Sequence, residues 1–279
     1  MNRKWATSVC AREFVIIGAS ERISSPMQNI RPLSRWKAAG LHLVISLFIA
    51  TLSGSLIYFV WYPPPYFQVA GGNTLMLLIM GVDVVIGPLL TLTIFKAGKK
   101  GLRFDLVVIA VLQTCAFLYG LHVIAVARPV FVVAEVDRFV LVAANDLDDK
   151  DLSQASQQEF ATRSWTGPRL VGVVPPKEGS EGFASIMSAL AGKDVEKFPK
   201  YYVPYEQVSE ALLARSKPLT EIMKKSPQDA HLVERFLAAH GADAAEYRGL
   251  PLPGRVASYT MVVSAKTAQP VTALAIDPW

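Results

Sequence analysis

The chain has 279 residues, of which 52% are hydrophobic and only 18% charged, with a formal net charge of +5. Soluble domains carry about a quarter charged residues, so this composition points to a membrane part joined to a globular part. The basic excess clusters before residue 38 and between Lys96 and Arg103, with no aromatic-interleaved patch, which argues against nucleic-acid binding.

The first 33 residues, MNRKWATSVCAREFVIIGAS onward, open like a signal peptide, but Arg12 and Glu13 interrupt it and FVIIGA is too short an apolar core. Residues 1–33 are therefore read as an unstructured leader, consistent with a start assigned upstream of a pattern that naturally begins at Ser34. Of the two cysteines, Cys10 lies in this leader and Cys115 in an apolar run; there is no CxxC, hence no thiol-redox or zinc motif.

Three runs then reach membrane length: Ala38–Val60, Thr74–Phe95 and Phe104–Val126. A helix needs about 20 apolar residues to cross the hydrocarbon core, and only a helix satisfies its own backbone there. Arg31, Arg35 and Lys37 precede the first run, and Lys96, Lys99, Lys100 and Arg103 separate the second from the third, whereas Trp61–Asn73 has no Lys or Arg. The positive-inside rule puts the N-terminus and the second loop in the cytoplasm, and the first loop and everything after about Arg128 outside, in the periplasm of a Gram-negative cell. Trp61, Tyr62, Tyr66 and Phe67 fit an aromatic belt at the outer face, and Pro63–Pro65 are expected to make the loop stiff and extended.

The expected organisation is a leader over residues 1–33, a three-span transmembrane all-α domain over 34–127, and a periplasmic α+β domain over 128–279. Within the last, Pro129–Ala144 reads as one long strand or two joined near Asp137, and NDLDDKDLSQASQQEF as an acidic helix start with Asp and Ser caps. RLVGVVP reads as a short strand, and SEGFASIMSALAGKDV as an amphipathic helix ending near Gly192. Three short helical patterns follow, the last stopped by Gly241, and SYTMVVSAKTAQPVTALAIDPW reads as a hairpin turning at AKTAQ.

Motifs for catalysis are absent: there is no GxSxG, HExxH, GxxxxGK[ST] or GxGxxG. No two of His42, His122, His231 and His240 have short metal-ligand spacing, and the run Asp146, Asp148, Asp149, Asp151 lacks the Gly and Glu of an EF-hand. No enzyme, cofactor or metal site is expected.

Asp83 is the exception to the apolar pattern. A carboxylate mid-helix costs about 2.5–3.5 kcal/mol on insertion scales, and such groups face a bundle interior or mark function. Asp83, Gly87 and Thr91 recur every four residues on one face, with Pro88 kinking the helix beside the carboxylate. Two readings stand. Asp83 is protonated, or bonds to Ser46 of the first run or Gln113 of the third, and locks the bundle, or the face formed by Asp83, Gly87, Pro88 and Thr91 receives a helix of another protein.

The order WYPPPYFQVAGGN, GVDVVIGPLLTLTIFKAGKKGLRFDL, ARPVFVVAEVDRF and a terminal IDPW resembles the TfpX/TfpZ-type type IV pilin accessory proteins, over residues 34 to 279. The resemblance implies an inner-membrane, multi-pass, non-enzymatic protein whose partners are a type IV pilin and the lipid bilayer, and which assists pilin stabilisation, assembly or pilus dynamics. It carries over motif positions, Asp83, Gly87 and Pro88 among them, but no ligand or catalytic residue, and it leaves the oligomeric state open. The competing readings are a membrane-anchored periplasmic ligand sensor and a pilin-modifying membrane enzyme.

Overall fold

The structure, a computed structural model, describes residues 34–176, 179–241 and 243–277. The expected leader, Cys10 and the terminal Pro278-Trp279 lie outside the described residues. The described residues from Ser34 onward form one compact unit.

Among the described residues three helices are long and apolar enough to cross a membrane: Arg35–Trp61, Gly72–Ile94 and Leu102–Val126. The first is capped by the Ser34 hydroxyl, which accepts from the Lys37 amide, and winds into a π turn over Ile57–Trp61. The second carries a π turn over Val82–Ile86 immediately before Gly87-Pro88. Pro88 has no amide hydrogen to give to the carbonyl one turn back, and the widened turn absorbs that missing bond.

The loop between the first two helices is not the extended segment expected. The Tyr66 amide donates to the Pro63 carbonyl at 3.0 Å, closing a turn, and Tyr66–Val69 is a helical turn. The reason is tertiary: Val69 is fully buried in the core of the following domain, with Tyr66 packed beside it. Gly71 then takes φ +72° to start the second helix, and a Cβ on Gly72 would lie 2.5 Å from the Phe67 ring. The glycine pair thus combines a left-handed residue with a close approach.

After the third helix the chain forms a mixed α/β domain. Its first sheet joins β1 (Pro129–Ala134), β2 (Phe139–Ala143), β3 (Arg169–Val173) and β4 (Tyr202–Pro204) in the order β2-β1-β3-β4. β1 pairs antiparallel with β2 and parallel with β3. The second sheet is antiparallel throughout: β5 (Lys217–Pro218), β6 (Tyr247–Pro253), β7 (Ser258–Ser264) and β8 (Pro270–Leu274), in chain order. The sheets share one core, in which Val132, Ala134 and Phe139 meet Leu250, Leu252, Tyr259, Met261 and Val263. β1 is buried along its whole length. Val130, Phe131 and Val133 pack on the far side, against Leu147, Leu152, Phe160 and Tyr202. The outer face of the second sheet is covered by the Leu219–Ile222 and Pro227–His240 helices through Leu219, Ile222, Val233 and Phe236. Ser226 caps the latter helix, and Gly241 ends it at φ +59°.

The strands expected at β1–β2, β3 and β7–β8 are present; β4, β5 and β6 were not anticipated. β6 reads YRGLPLP, and its Gly and two prolines hide it from propensity. Its neighbour β5 pairs only with Arg248 and Gly249, so the strand is unpaired on that flank beside Pro251 and Pro253. The acidic stretch holds only a four-residue helix, Asp149–Leu152, and Asp148 makes no side-chain cap. Its carboxylates bind cations instead: Lys193 bridges Asp148 at 2.7 Å and Asp151 at 2.5 Å, and Arg163 meets Asp149 at 2.6 Å. The Ser180–Leu190 helix forms as expected and Gly192 has φ +86°, but its apolar residues Phe183, Ile186 and Leu190 stay exposed.

Candidate functional site

The second apolar helix packs on both others, through glycines. Gly54 of the first helix leaves room for Met76 and Met80, and a Cβ there would come within 2.7 Å of Met80. Gly120 of the third accommodates Ile79, and Gly87 lies against the side-chain amide of Gln113. Small residues at such contacts let helices approach closely where no hydrophobic drive exists.

The first and third helices meet near the α/β domain, where Ile57, Trp61 and Tyr62 cluster with Ile124. The Tyr62 hydroxyl donates to the Ile124 carbonyl at 2.9 Å. Toward the helix middles they part, leaving a cleft of about 380 Å³ lined by His42, Ile45, Ser46 and Ile49 of the first helix, Met80 and Asp83 of the second, and Ala110, Gln113, Thr114, Phe117 and Leu118 of the third.

The sequence-derived site residues separate into two groups. Gly87 and Thr91 are covered by the chain's own helices: Gly87 by Gln113, and Thr91, 3% exposed, by His42, whose Nδ1 lies 2.6 Å from the Thr91 hydroxyl. Pro88 is half-buried in the first turn of the segment after the π turn. The stripe is thus not an open face along its length. Asp83, Ser46 and Gln113 instead converge on the cleft. No hydrogen bond joins Asp83 to Ser46 or Gln113 among the described residues; Asp83 Oδ1 and Gln113 Oε1 are both buried without a partner. Each unsatisfied buried acceptor costs about 1–3 kcal/mol, and lipid offers nothing to repair it.

Sequence reasoning missed the junction between the helices and the α/β domain. Arg128 is buried, donates through Nε to the Ser164 carbonyl at 2.9 Å and through Nη1 to that of Ala125, and lies 3.6 Å over the Trp165 ring. Trp165 in turn lies beside Trp61, with ring centroids 6.1 Å apart. The Arg255 amide donates to the Val69 carbonyl at 3.0 Å, and the Tyr259 hydroxyl to that of Gln68 at 3.3 Å. A lone arginine at the end of an apolar helix was the available signal for this clamp; its partners lie too far along the chain to be read from it.

A second buried carboxylate lies in the α/β domain. Glu135, at the end of β1, is 7% exposed and accepts from Arg138 Nε at 2.8 Å through Oε2, while its Oε1 has no partner. Burial, reinforced by the neighbouring Glu196 carboxylate and opposed by Arg138, pushes its pKa up to about 7. No group of three or more His, Cys, Asp or Glu among the described residues is arranged to hold a metal ion.

Among the described residues, the geometry gives three apolar helices of membrane-spanning length with a carboxylate in the wall of the cleft between them. Comparison with known proteins adds the lineage. The model of the family "Fimbrial assembly protein FimB" matches residues 30–71. The fimbrial assembly protein of serogroup I from Dichelobacter nodosus is 34% identical over 254 residues, covering 90% of this chain and 98% of that protein. The serogroup E1 protein of the same organism is 32% identical over the same shares. The protein of serogroups C1 and C2 is 40% identical over 131 residues, 46% of this chain and all of that protein. No solved structure matches. The chain belongs to the fimbrial assembly protein family, which bears out at family level the pilus-accessory resemblance of its motifs.

Proposed function

We propose that this chain acts in pilus assembly as an inner-membrane accessory protein for a type IV pilin, stabilising the subunit or aiding its assembly. The carrying observation is membership of the fimbrial assembly family over nearly the full length of its relatives. The structure supports it in one respect: three membrane-length helices are joined to an α/β domain through Arg128, the Trp61–Trp165 contact and the Tyr66–Val69 turn. A single unit of that kind offers contacts to the membrane part and the exposed part of a subunit together. In this reading the residues divide into a three-span domain over 34–127 and a periplasmic domain over 128–279, with the N-terminus cytoplasmic. The loop without Lys or Arg lies on the same side as the α/β domain, as the positive-inside rule requires of a periplasmic domain.

The test is deletion of the gene followed by counts of surface pili and of pilin in the membrane, with capture of pilin by the tagged full-length chain. Loss of pili or pilin, restored by the intact gene, together with capture, is the expected result. Unchanged pilus number and no capture would overturn the reading.

A further inference from the structure

We infer that the open cleft beside Arg128 and Arg163 binds the phosphate of an anionic phospholipid, taken from the leaflet on the side of the α/β domain. The inference goes beyond the pilin reading and takes from it only that the apolar helices span a bilayer.

The first argument is depth. The cleft, of about 470 Å³, is lined by Arg128, Asp149, Ser153, Thr162, Arg163 and Trp165 among others. Arg128 stands two residues beyond Val126, where the third apolar helix ends, and Trp61 is the last residue of the first. Trp165 lies beside Trp61. A Cβ on Gly167 would lie 2.9 Å from Pro63 and 3.5 Å from the Val60 carbonyl. Residues 164–167 therefore rest on the end of the first helix, at the level where hydrocarbon gives way to headgroups. Tryptophan collects at that level, and Trp165 is 60% exposed.

The second argument is charge. Arg128 donates through Nε and Nη1 to the Ser164 and Ala125 carbonyls, and no carboxylate of the described residues pairs with it. Its Nη2 donates to none of the described residues and is not sealed from solvent. Arg163 donates to the Ala144 and Leu147 carbonyls and pairs with Asp149, whose side chain is 89% exposed. Two guanidiniums thus line one cleft with one carboxylate between them. Burial, and then the Arg163 charge, hold the Arg128 pKa below the usual arginine value, yet a guanidinium stays protonated in proteins. One positive charge is left for an anion to balance.

Phosphate suits it, because guanidinium N–H groups fit phosphate oxygens in a planar fork. The Ser153 and Thr162 hydroxyls stand in the same wall. At this depth phosphate comes with every phospholipid. A zwitterionic headgroup would add an ammonium that the two arginines repel, whereas phosphatidylglycerol adds only neutral hydroxyls, so basic pockets at this level favour the anionic lipid.

The experiment uses the delipidated full-length chain in detergent, without pilin, so its outcome is separate from that of the functional reading. It is titrated with phosphatidylglycerol, phosphatidylcholine of the same chain length, or inorganic phosphate. Native mass spectrometry counts bound molecules, and tryptophan emission reports on Trp165. Phosphatidylglycerol should bind about tenfold more tightly than either alternative. Arg163→Gln should weaken it about tenfold, as loss of a charge-assisted bond. Asp149→Asn frees Arg163 and should tighten it about two- to fivefold, which damage to the fold would not do. Ser153→Glu, at an exposed position, should reproduce the loss even if Arg163→Gln fails to accumulate. Lys266→Gln removes a charge at the β7–β8 turn and should change nothing. Phosphatidylcholine binding as tightly as phosphatidylglycerol, inorganic phosphate binding as tightly as lipid, an equal loss from Lys266→Gln, or an affinity unmoved by Ser153→Glu would overturn the inference.

Discussion

Replacing Glu135 by Gln should make the protein more stable above neutral pH and leave it nearly unchanged in mild acid. Glu135 is 7% exposed, one of its oxygens has no partner, and Glu196 reinforces the burial penalty. Its pKa therefore rises from an ordinary 4.5 to about 7 in the folded chain. An acid with a raised native pKa takes up its proton on folding, so stability falls as pH climbs through the window from 4.5 to about 7. Below that window the wild-type side chain is neutral in both states, and Gln differs little from it. Above it, Gln removes a buried charge but forfeits a charge-assisted bond to Arg138, whose side chain is 49% exposed. The rise from 4.5 to about 7, about 2.5 pKa units, already contains the attraction of Arg138; at about 1.4 kcal/mol per unit, roughly halved for solvent screening of the half-exposed partner, the net gain is about 1–2 kcal/mol. For a chain of this size that is roughly 2–8 °C in Tm. The assay is thermal unfolding of the full-length protein in detergent at about pH 8 and about pH 5, followed by a probe on the α/β domain. A loss of stability at the higher pH, or an equal shift at both, would refute the reasoning and show that the Arg138 pair outweighs desolvation.

Arg128→Met should cost about 2–4 kcal/mol, since it removes two bonds to main-chain carbonyls and the stacking on Trp165; the readouts are a lowered Tm and a red shift of tryptophan emission. Gly87→Leu should push the Gln113 side chain aside and part the second and third helices, lowering resistance to SDS unfolding by about 1–3 kcal/mol; unchanged resistance would count against the tight Gly87 contact. Tyr62→Phe leaves the Ile124 carbonyl without its donor and should cost about 1–2 kcal/mol, seen as faster amide exchange at the outer end of the third helix. Periplasmic and cytoplasmic reporters fused after Ala127 and after Ala97 should be active on opposite sides of the membrane, and activity on one side only would overturn the proposed orientation.

Local pattern was enough for the three apolar helices, whose length and continuity are set residue by residue. It was also enough for the β1–β2 and β7–β8 hairpins, where alternation and a turn are adjacent in the chain. The same locality explains why Gly192 and Gly241 were recognisable as helix ends: each takes a positive φ that its own side-chain-free backbone permits. What local pattern concealed depends on residues far apart. β6 is a strand because β7 pairs with it along its length, against the preferences of its own Gly and prolines. The Pro-rich loop folds back because Val69 finds a core made by strands that lie well beyond it in the chain.

Asp83 divides between the two. That a carboxylate among apolar residues must be shielded follows from the energy of charge in hydrocarbon and needs only the sequence. Which groups do the shielding is a matter of helix rotation and divergence, decided by Gly54, Gly87 and Gly120 admitting side chains from neighbouring helices. Those contacts turn Thr91 onto His42 and Gly87 onto Gln113, yet leave Asp83 in the wall of a cleft, with its Oδ1 and Gln113 Oε1 both buried and making no hydrogen bond.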